Sequence, residues 1–577
     1  MKKFPLILLI STFFCLSGFS QNVSVIEPEL MKVLEQKDNE MIRINIVLNS
    51  QIDARSLKND TRGFNNAETK RQFVVQELKN FAENSQRDII TILEEGEKSG
   101  AVKDIVSHWI SNTITCSVSK DYIYLLSNHP DISIIGGNES QFLLWDEKSE
   151  SIDIQRGPSK IIGHVKANKV WDLGYTGKGV TVAILDTGIN AHTDIVNNLW
   201  DGGEEYPNHG YNTYEKDHNL SDVYGHGTHC AGIICGTGVS GTKTGIAPDA
   251  TLMCVKVMDN NGKGDAESIC SGIEFAIEHG ADVLNMSLGF SNAAVATRAT
   301  LRNAYINAME ANIAIITAVG NDGMFQSSCP APNNVRVPGG CPPPWLHPDQ
   351  QDKEGGLSAC IAVGAVTDKN AVADFSSFGP FTWQNTSFRD YQYNGTTKLG
   401  LIRPDVCAPG SKIVSCDPNK NNGYITMDGT SQAAPCVTGI VCLMLQKNPE
   451  LTPAQICEIL ETTAVKLSET KNNYTGSGCV DAFAAINATE EYDYINESII
   501  DNKTDIYPNP AENEIHISSE DRIEEVTIYN VNGQQTTING QQATTESIIN
   551  ISSLNAGVYF IKIKTDNQII TKPFIKK

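Results

Sequence analysis

The sequence predicts an α/β protein built on a doubly wound parallel sheet, with a small α+β unit before it and an all-β sandwich tail after it. Three observations predict this. From 165 to about 488, short apolar and β-branched runs alternate with helical stretches, the pattern of parallel strands covered on both faces. From 23 to 144 two strand-like runs flank one long charged amphipathic stretch. From 504 to the end, short alternating runs are separated by Asn-Gly and Asn-Ala-Gly turns. A length of 577 residues leaves room for roughly three or four domains of about 150 residues each.

The first element is a leader, read as residues 1–20. Lys2 and Lys3 precede an apolar run from Phe4 to Cys15, and Gly18 and Ser20 supply small residues before Gln21, the signature of a secretory signal. Phe14 stands where a lipid-anchored cysteine would want a small neighbour, which argues against a lipoprotein reading of Cys15. No later run approaches the length of a membrane span. Fourteen cysteines follow Cys15, most inside apolar runs where they act as small hydrophobes and are expected to stay unpaired. Cys329 and Cys341 bracket a Pro/Gly/Asn-rich loop and are the pair able to close it. With 45 basic against 68 acidic side chains the net charge is −23, which repels phosphate and argues against nucleic-acid or anionic-membrane binding.

The second element, 21–150, holds strand-like runs at 41–48 and 132–135 around a helix at 67–97, and ends in a polar stretch, 146–160, read as an exposed linker. The third, 151–488, carries strands at 179–185, 251–257, 283–286, 313–318 and 360–363, with a helix at 265–279 between an acidic cap and Gly280. An acidic connector, 489–503, leads to the fourth, 504–577, with strands at 515–517, 525–529, 547–551 and 558–563.

Groups that do chemistry on open α/β sheets gather beyond the carboxyl ends of the strands. Asp186 closes the first buried strand, in Leu185-Asp186-Thr187-Gly188. His226 lies in Gly225-His226-Gly227-Thr228-His229, where glycines open a helix. Ser431 starts an apolar helix in Asp428-Gly429-Thr430-Ser431. Asn321 ends another buried strand, in Thr317-Ala318-Val319-Gly320-Asn321. A serine hydroxyl needs a base to take its proton, and histidine has a suitable pKa. A buried carboxylate then fixes the imidazole, and helix-terminal N–H groups with an amide side chain favour an oxyanion.

These segments resemble the subtilisin-like serine peptidase family, whose order of Asp, His and Ser matches Asp186, His226 and Ser431. The resemblance implies a serine endopeptidase in which Asp186 orients, His226 acts as base and acid, Ser431 attacks and Asn321 donates to the oxyanion. It implies that Ser287, Leu288 and Gly289 pair with the substrate backbone as an added strand. Gly245-Ile246-Ala247-Pro248 matches a further family signature. Gln432, Ala434 and Cys436 depart from the family's usual Met, Ser and His, and the Pro-rich insertion at 329–350 is longer than in its simplest members. Val239 stands where the family has a calcium-binding Asn, so calcium is not assigned at that site, although other sites stay open. No cofactor is required for the chemistry and no catalytic metal is expected.

Other readings are weaker. Asp-Thr-Gly also marks aspartic peptidases, but those need two carboxylates and no second copy occurs. His226 and His229 lack the Glu of a zinc-peptidase helix, which makes His229 a packing histidine. The N-terminal unit resembles the family's propeptide through Ser127-Asn128-His129-Pro130-Asp131 and the strand after it, which implies an inhibitor that plugs the cleft; an independent accessory domain is the alternative. The tail resembles the sorting domain of type IX secretion through Tyr507-Pro508-Asn509-Pro510, Val526-Thr527-Ile528-Tyr529, Leu554-Asn555-Ala556-Gly557-Val558-Tyr559 and a basic end, with a carbohydrate-binding β-module as the rival. The expected protein is a zymogen, secreted or at the cell surface, with polypeptide substrates, its own propeptide and the secretion machinery as partners. A catalytically silent binding protein on the same fold is the reading from another class.

Overall fold

The structure, a computed structural model, describes residues 25–36, 40–61, 66–144, 147–152, 157–343, 358–489, 504–508, 511–530, 535–536, 544–565 and 569–577. The signal stretch 1–20, the connector 490–503 and the end of the Pro-rich insertion lie outside the described residues. The chain divides into two compact units, Met1–Thr489 and Glu490–Lys577. No helix among the described residues is long and apolar enough to cross a membrane.

The first unit centres on a seven-stranded sheet in the order Val406–Pro409, Ile361–Val366, Ala314–Ala318, Val283–Met286, Thr181–Asp186, Thr251–Lys256, Gly210–Asn212. Every pairing is parallel. Its inner strands are buried almost throughout, which is why they read as continuous apolar runs rather than as alternating ones. From Thr181–Asp186 the chain builds outward first on one side, through Thr251–Lys256, and then on the other, through Val283–Met286. The carboxyl end of that strand is therefore the topological switch point, where doubly wound sheets open a crevice.

Helices His226–Cys235 and Thr430–Lys447 pack on each other, as do Ala266–Glu278 and Val295–Glu310. Ala266–Glu278 begins at Asp265, whose side chain accepts from the Ser268 N–H in a capping box, and is followed by Gly280 at φ +82.

The N-terminal unit is a four-stranded antiparallel sheet, in the order Val102–His108, Thr113–Val118, Ile42–Leu48, Ile132–Gly137, with the 32-residue helix Ala67–Lys98. Sequence patterning missed the hairpin of Val102–His108 and Thr113–Val118. A register shift between Lys103 and Val106 breaks the first strand's alternation, and the turn needs Asn112 at φ +46. Leu34, Ile44, Ile46, Ile89 and Leu93 form this unit's own core, while Leu57, Val74, Leu78 and Ile110 join the core of the main sheet. Polar links follow the same seam. Arg43 reaches Glu267 at 2.6 and 2.8 Å, Asn45 donates to Thr300 at 2.7 Å, and the Ala296 N–H donates to Glu27 at 2.9 Å.

The stretch expected as an exposed linker is partly structured. Glu147–Ile152 is a strand paired antiparallel with Tyr424–Asp428, and Gly157–Pro158 pairs in parallel with Thr242–Lys243. Charge and Ser content made it look like linker, but an unpaired sheet edge accepts any extended backbone. Residues 334–343 of the Pro-rich insertion are also buried: Val337 exchanges hydrogen bonds with Phe290 at 2.7 and 3.1 Å, which ties the insertion to the stretch beyond Gly289. All fourteen cysteines after Cys15 are free thiols, including Cys329 and Cys341, so no bridge closes that loop. Burial pushes Cys116, Cys341 and Cys479 up to about 12, which keeps them protonated and unreactive.

The second unit is all-β, with Thr504–Tyr507, Glu514–Asn530, Thr544–Asn550, Gly557–Thr565 and Ile569–Lys576 in one antiparallel network. The expected separate strands at 515–517 and 525–529 are one 17-residue strand with register shifts near Ile523. Its first half pairs with Thr544–Asn550 and its second with Gly557–Thr565, and both halves feed one apolar core that includes Ile515, Ile528, Ile549, Ile561 and Phe574.

Candidate active site

Asp186 sits at the carboxyl end of Thr181–Asp186, at the switch point, and is fully buried. Its Oδ1 accepts from the Thr187 N–H at 2.7 Å and lies 2.7 Å from His226 Nδ1. His226 is the first residue of its helix, entered through Gly225 at φ +96. Gly227 has no room for a side chain: a Cβ there would stand 2.1 Å from the Gly188 carbonyl oxygen. A turn this tight is what presses the imidazole against the strand end.

A second carboxylate, which sequence reasoning missed, organises that turn. Asp222 accepts from the N–H groups of Gly225 and Thr228 at 2.7 and 2.8 Å and from the hydroxyls of Thr187 and Thr228 at 2.7 and 2.6 Å. Thr187 in turn accepts from the Gly227 N–H at 3.0 Å, so one bond network spans the strand end and the helix start. Burial raises the Asp222 carboxyl above its ordinary range, although these hydrogen bonds pull the other way. Lys256, at the end of the adjacent strand, is buried and donates to the carbonyl oxygens of Thr187 and Ser221. The signals were present: an Asp four residues before a helix-opening histidine, and a lysine inside an apolar strand.

Ser431 is the second residue of Thr430–Lys447 and is buried, at 4% exposure. Its Oγ donates to the Ser287 carbonyl at 3.0 Å, and Ser287 Oγ donates to the Ser431 carbonyl at 2.9 Å. Cys230 bridges the two helices: its sulfur donates to the Ser431 carbonyl at 3.4 Å and stands 3.9 Å from both ring nitrogens of His226. Asn321 is adjacent. Its Oδ1 accepts from the Thr430 N–H at 2.9 Å and the Thr430 hydroxyl at 2.8 Å, which orients the amide. Behind it, Asp322 forms a buried two-point ion pair with Arg336 at 2.7 and 2.9 Å, an arrangement that holds the loop rigidly. Nothing in the local pattern marks Arg336, because its partner lies fourteen residues away across a Pro-rich loop.

Ser287, Leu288 and Gly289 run beyond the end of Val283–Met286, all buried or nearly so. The Gly289 N–H donates to the carbonyl of Leu143 at 3.2 Å, so this stretch already pairs with another extended segment of the chain.

Two groups of three ligand-capable side chains lie close together among the described residues, Asp186/His226/Cys230 and His192/Asp194/Cys416. In the second, Asp194 accepts from the Ser240 N–H at 2.7 Å and from Tyr424 at 2.6 Å, and His192 bonds the Gly423 carbonyl at 2.9 Å. One occupied carboxylate beside a thiol and an imidazole does not suit calcium, which takes six to eight oxygens. Val239, in the same loop, points into solvent at 73% exposure.

His229 is fully buried, its Nε2 3.3 Å from the Ile425 carbonyl. Burial first, and then the neighbouring His226, push it down to about 3, so it is neutral at any ordinary pH.

Comparison with known proteins agrees with this geometry. Residues 177–479 match the model of the subtilase family, and residues 505–577 match that of a secretion system C-terminal sorting domain. M-protease of Shouchella clausii (strain KSM-K16) is 31% identical over 425 residues, covering 73% of this chain and 90% of that protein. Subtilisin DY of Bacillus licheniformis is 32% identical over 322 residues, 56% of this chain and 96% of its own. Serine protease AprX of Bacillus subtilis (strain 168) is 32% identical over 337 residues, 53% of this chain and 66% of its own. A doubly wound sheet with Asp186 and His226 joined at its switch point, together with these matches, means that the chain belongs to the subtilase family of serine endopeptidases and carries a secretion-sorting domain that directs it out of the cell or to its surface.

Proposed function

We propose that the protein hydrolyses peptide bonds through an acyl-enzyme formed on Ser431, with His226 as base and acid, Asp186 as the group that orients it, and Asn321 as oxyanion donor. The observation that carries this is the 2.7 Å contact of Asp186 Oδ1 with His226 Nδ1, fully buried beside the helix start that bears Ser431. With Nδ1–H given to the carboxylate, Nε2 is the nitrogen that takes the serine proton. Ser431 Oγ attacks the carbonyl carbon, the amine leaves with the proton from His226, and water repeats the sequence to release the acid. Positive charge on the imidazole is balanced by Asp186 in a water-poor setting, where that attraction counts for most. The helix N-terminus and the Asn321 amide, its oxygen held by Thr430, supply donors where the oxyanion forms.

Substrate docks as an added strand on Ser287, Leu288 and Gly289. The N-terminal unit acts as the propeptide inhibitor; the Arg43–Glu267, Asn45–Thr300 and Glu27–Ala296 links support this by fastening it to the two helices beside the cleft. The secretion machinery recognises the sorting domain.

Ser431→Ala tests the reading. Peptide hydrolysis should fall about 10⁶-fold in kcat, the size known for removal of this serine in the family. A serine-reactive phosphonate should label the wild type and not the variant. A purified Ser431→Ala chain that cleaves peptides at the wild-type rate would overturn the assignment.

A further inference from the structure

Thr187 holds a single hydroxyl between two buried carboxylates. Its Oγ lies 2.7 Å from Asp222 Oδ1 and 3.2 Å from Asp186 Oδ1, and it accepts from the Gly227 N–H at 3.0 Å. A hydroxyl has one proton to give, and the shorter contact gives it to Asp222. That choice matters at Asp186. Its Oδ2 is buried and meets no donor among the described residues, so Oδ1 alone serves both the Thr187 N–H and His226 Nδ1, each at 2.7 Å. A further donor on that oxygen would draw charge away from the contact that steadies the imidazolium. Asp222 is well placed to keep the hydroxyl. The N–H groups of Gly225 and Thr228 and the hydroxyls of Thr187 and Thr228 converge on its two oxygens, and only an ionised carboxylate accepts all four. Gly225 and Thr228 bracket His226, so the same carboxylate fixes the backbone on either side of the imidazole. Asn190 locks Asp222 in turn, accepting from its N–H and donating to its carbonyl, both at 2.9 Å.

We propose that Asp222 is a positioning residue of the reaction, drawing the Thr187 hydroxyl away from Asp186 so that the Asp186 carboxylate serves His226 undivided. The inference rests on the proposed role of His226 as base and acid. Asp222 acts through Thr187 and through the turn that carries His226, and it touches no reacting atom. Neutralising it frees the hydroxyl to turn toward Asp186 and removes a negative charge near the imidazole. Both changes loosen the hold of His226 on its proton. The other titratable or charged groups facing His226, Asp186 and Asp222 are Lys256, His229, Cys230 and Cys254, and all four stay in place in the variants that test the idea.

The test is the pH dependence of kcat/KM, with kcat and KM, for peptide hydrolysis by the wild type, Asp222→Asn, Thr187→Val, Thr187→Ser and the double variant Asp222→Asn/Thr187→Val. Each is expressed as the full chain, and active sites are counted by labelling with a serine-reactive phosphonate. Asp222→Asn is expected to lower kcat about ten- to a hundred-fold with KM little changed, the size of one lost hydrogen bond to a charged group. It should also move the acid limb of kcat/KM to lower pH, and the position of that limb does not depend on how much enzyme is folded. Where Thr187→Val has removed the hydroxyl, nothing is left to turn toward Asp186, so adding Asp222→Asn should move the limb less. Thr187→Val should itself lower kcat, and Thr187→Ser should recover most of the loss. An unmoved limb in Asp222→Asn, or the same shift with and without the hydroxyl, overturns this inference and leaves the role of His226 standing. So does a wild-type kcat in Thr187→Val, which decides the matter should Asp222→Asn fail to fold. His226→Ala cleaving peptides at the wild-type rate would instead remove the catalytic reading on which the inference rests.

Discussion

Asn321 is gripped by its oxygen, through the backbone and hydroxyl of Thr430, so under the proposed mechanism its replacement by Ala deletes one donor without emptying the core. Asn321→Ala is expected to lower kcat by about 10² to 10³, the size known for the family's oxyanion amide, with KM little changed. Steady-state kinetics on a peptide substrate decide it: a rise in KM at constant kcat would assign Asn321 to ground-state binding. His229 bears on stability. It is pushed down to about 3 by burial and by His226, with the carbonyls of Ile425 and Ile413 also facing it. The unfolded chain takes up a proton near pH 6.5, whereas the folded chain resists until about 3. The contribution of His229 is therefore full above 6.5 and is lost as pH falls through that window, at up to about 1.4 kcal/mol per pH unit. Glu310, raised to about 7 by burial despite Lys70 and Lys58, works in the opposite sense, losing its contribution as pH climbs from its ordinary value to about 7. The signed change in urea midpoint from pH 4 to pH 7 should therefore be shifted downward in His229→Gln relative to the wild type, because the variant loses the contribution that favours pH 7 and keeps the opposing one of Glu310. Equal differences in both proteins would contradict the assignment.

At the scale of elements, helices Ala266–Glu278 and Val295–Glu310 present their first turns to the N-terminal unit. Glu27 accepts from the Ala296 N–H at one helix start, and Arg43 grips Glu267 at the other. Burial alone would raise the Glu267 carboxyl, but Arg43, with Lys216, more than offsets it and holds the group below the usual carboxylate range. Arg43→Ala removes the larger of these partners from a half-buried pair. Under the proposed inhibitory role of the N-terminal unit, a loss of about 2 kcal/mol, roughly thirty-fold in its affinity for the peptidase, is expected, read as a shorter lag before full peptide-cleaving activity. An unchanged lag would show that the apolar seam of Leu57, Val74, Leu78 and Ile110 holds the unit by itself. The strands of the main sheet were legible because burial on both faces imposes apolar runs that local composition reveals. The strand Glu147–Ile152 was not legible, since Glu-Lys-Ser-Glu-Ser has no such pattern and is ordered only by the edge it meets.

Taken whole, the molecule has separate cores in its two units, Met1–Thr489 and Glu490–Lys577. Calorimetry should show two unfolding transitions, and a chain ending at Thr489 should lose one of them while keeping peptide hydrolysis. A single shared transition would mean that the sorting domain contributes to the stability of the peptidase. Sequence alone determined the kind of sheet, the chemical identity of Asp186, His226, Ser431 and Asn321, and their positions at strand ends and helix starts, because burial, periodicity and capping are properties of neighbouring residues. Tertiary structure alone decided that Asp222 and Thr187 tie strand to helix, that Arg336 reaches Asp322 behind Asn321, and that Glu147–Ile152 pairs with the strand leading to the serine helix. Such contacts depend on the order in which strands join the sheet and on which edges remain open, and separation along the chain carries no measure of distance in space.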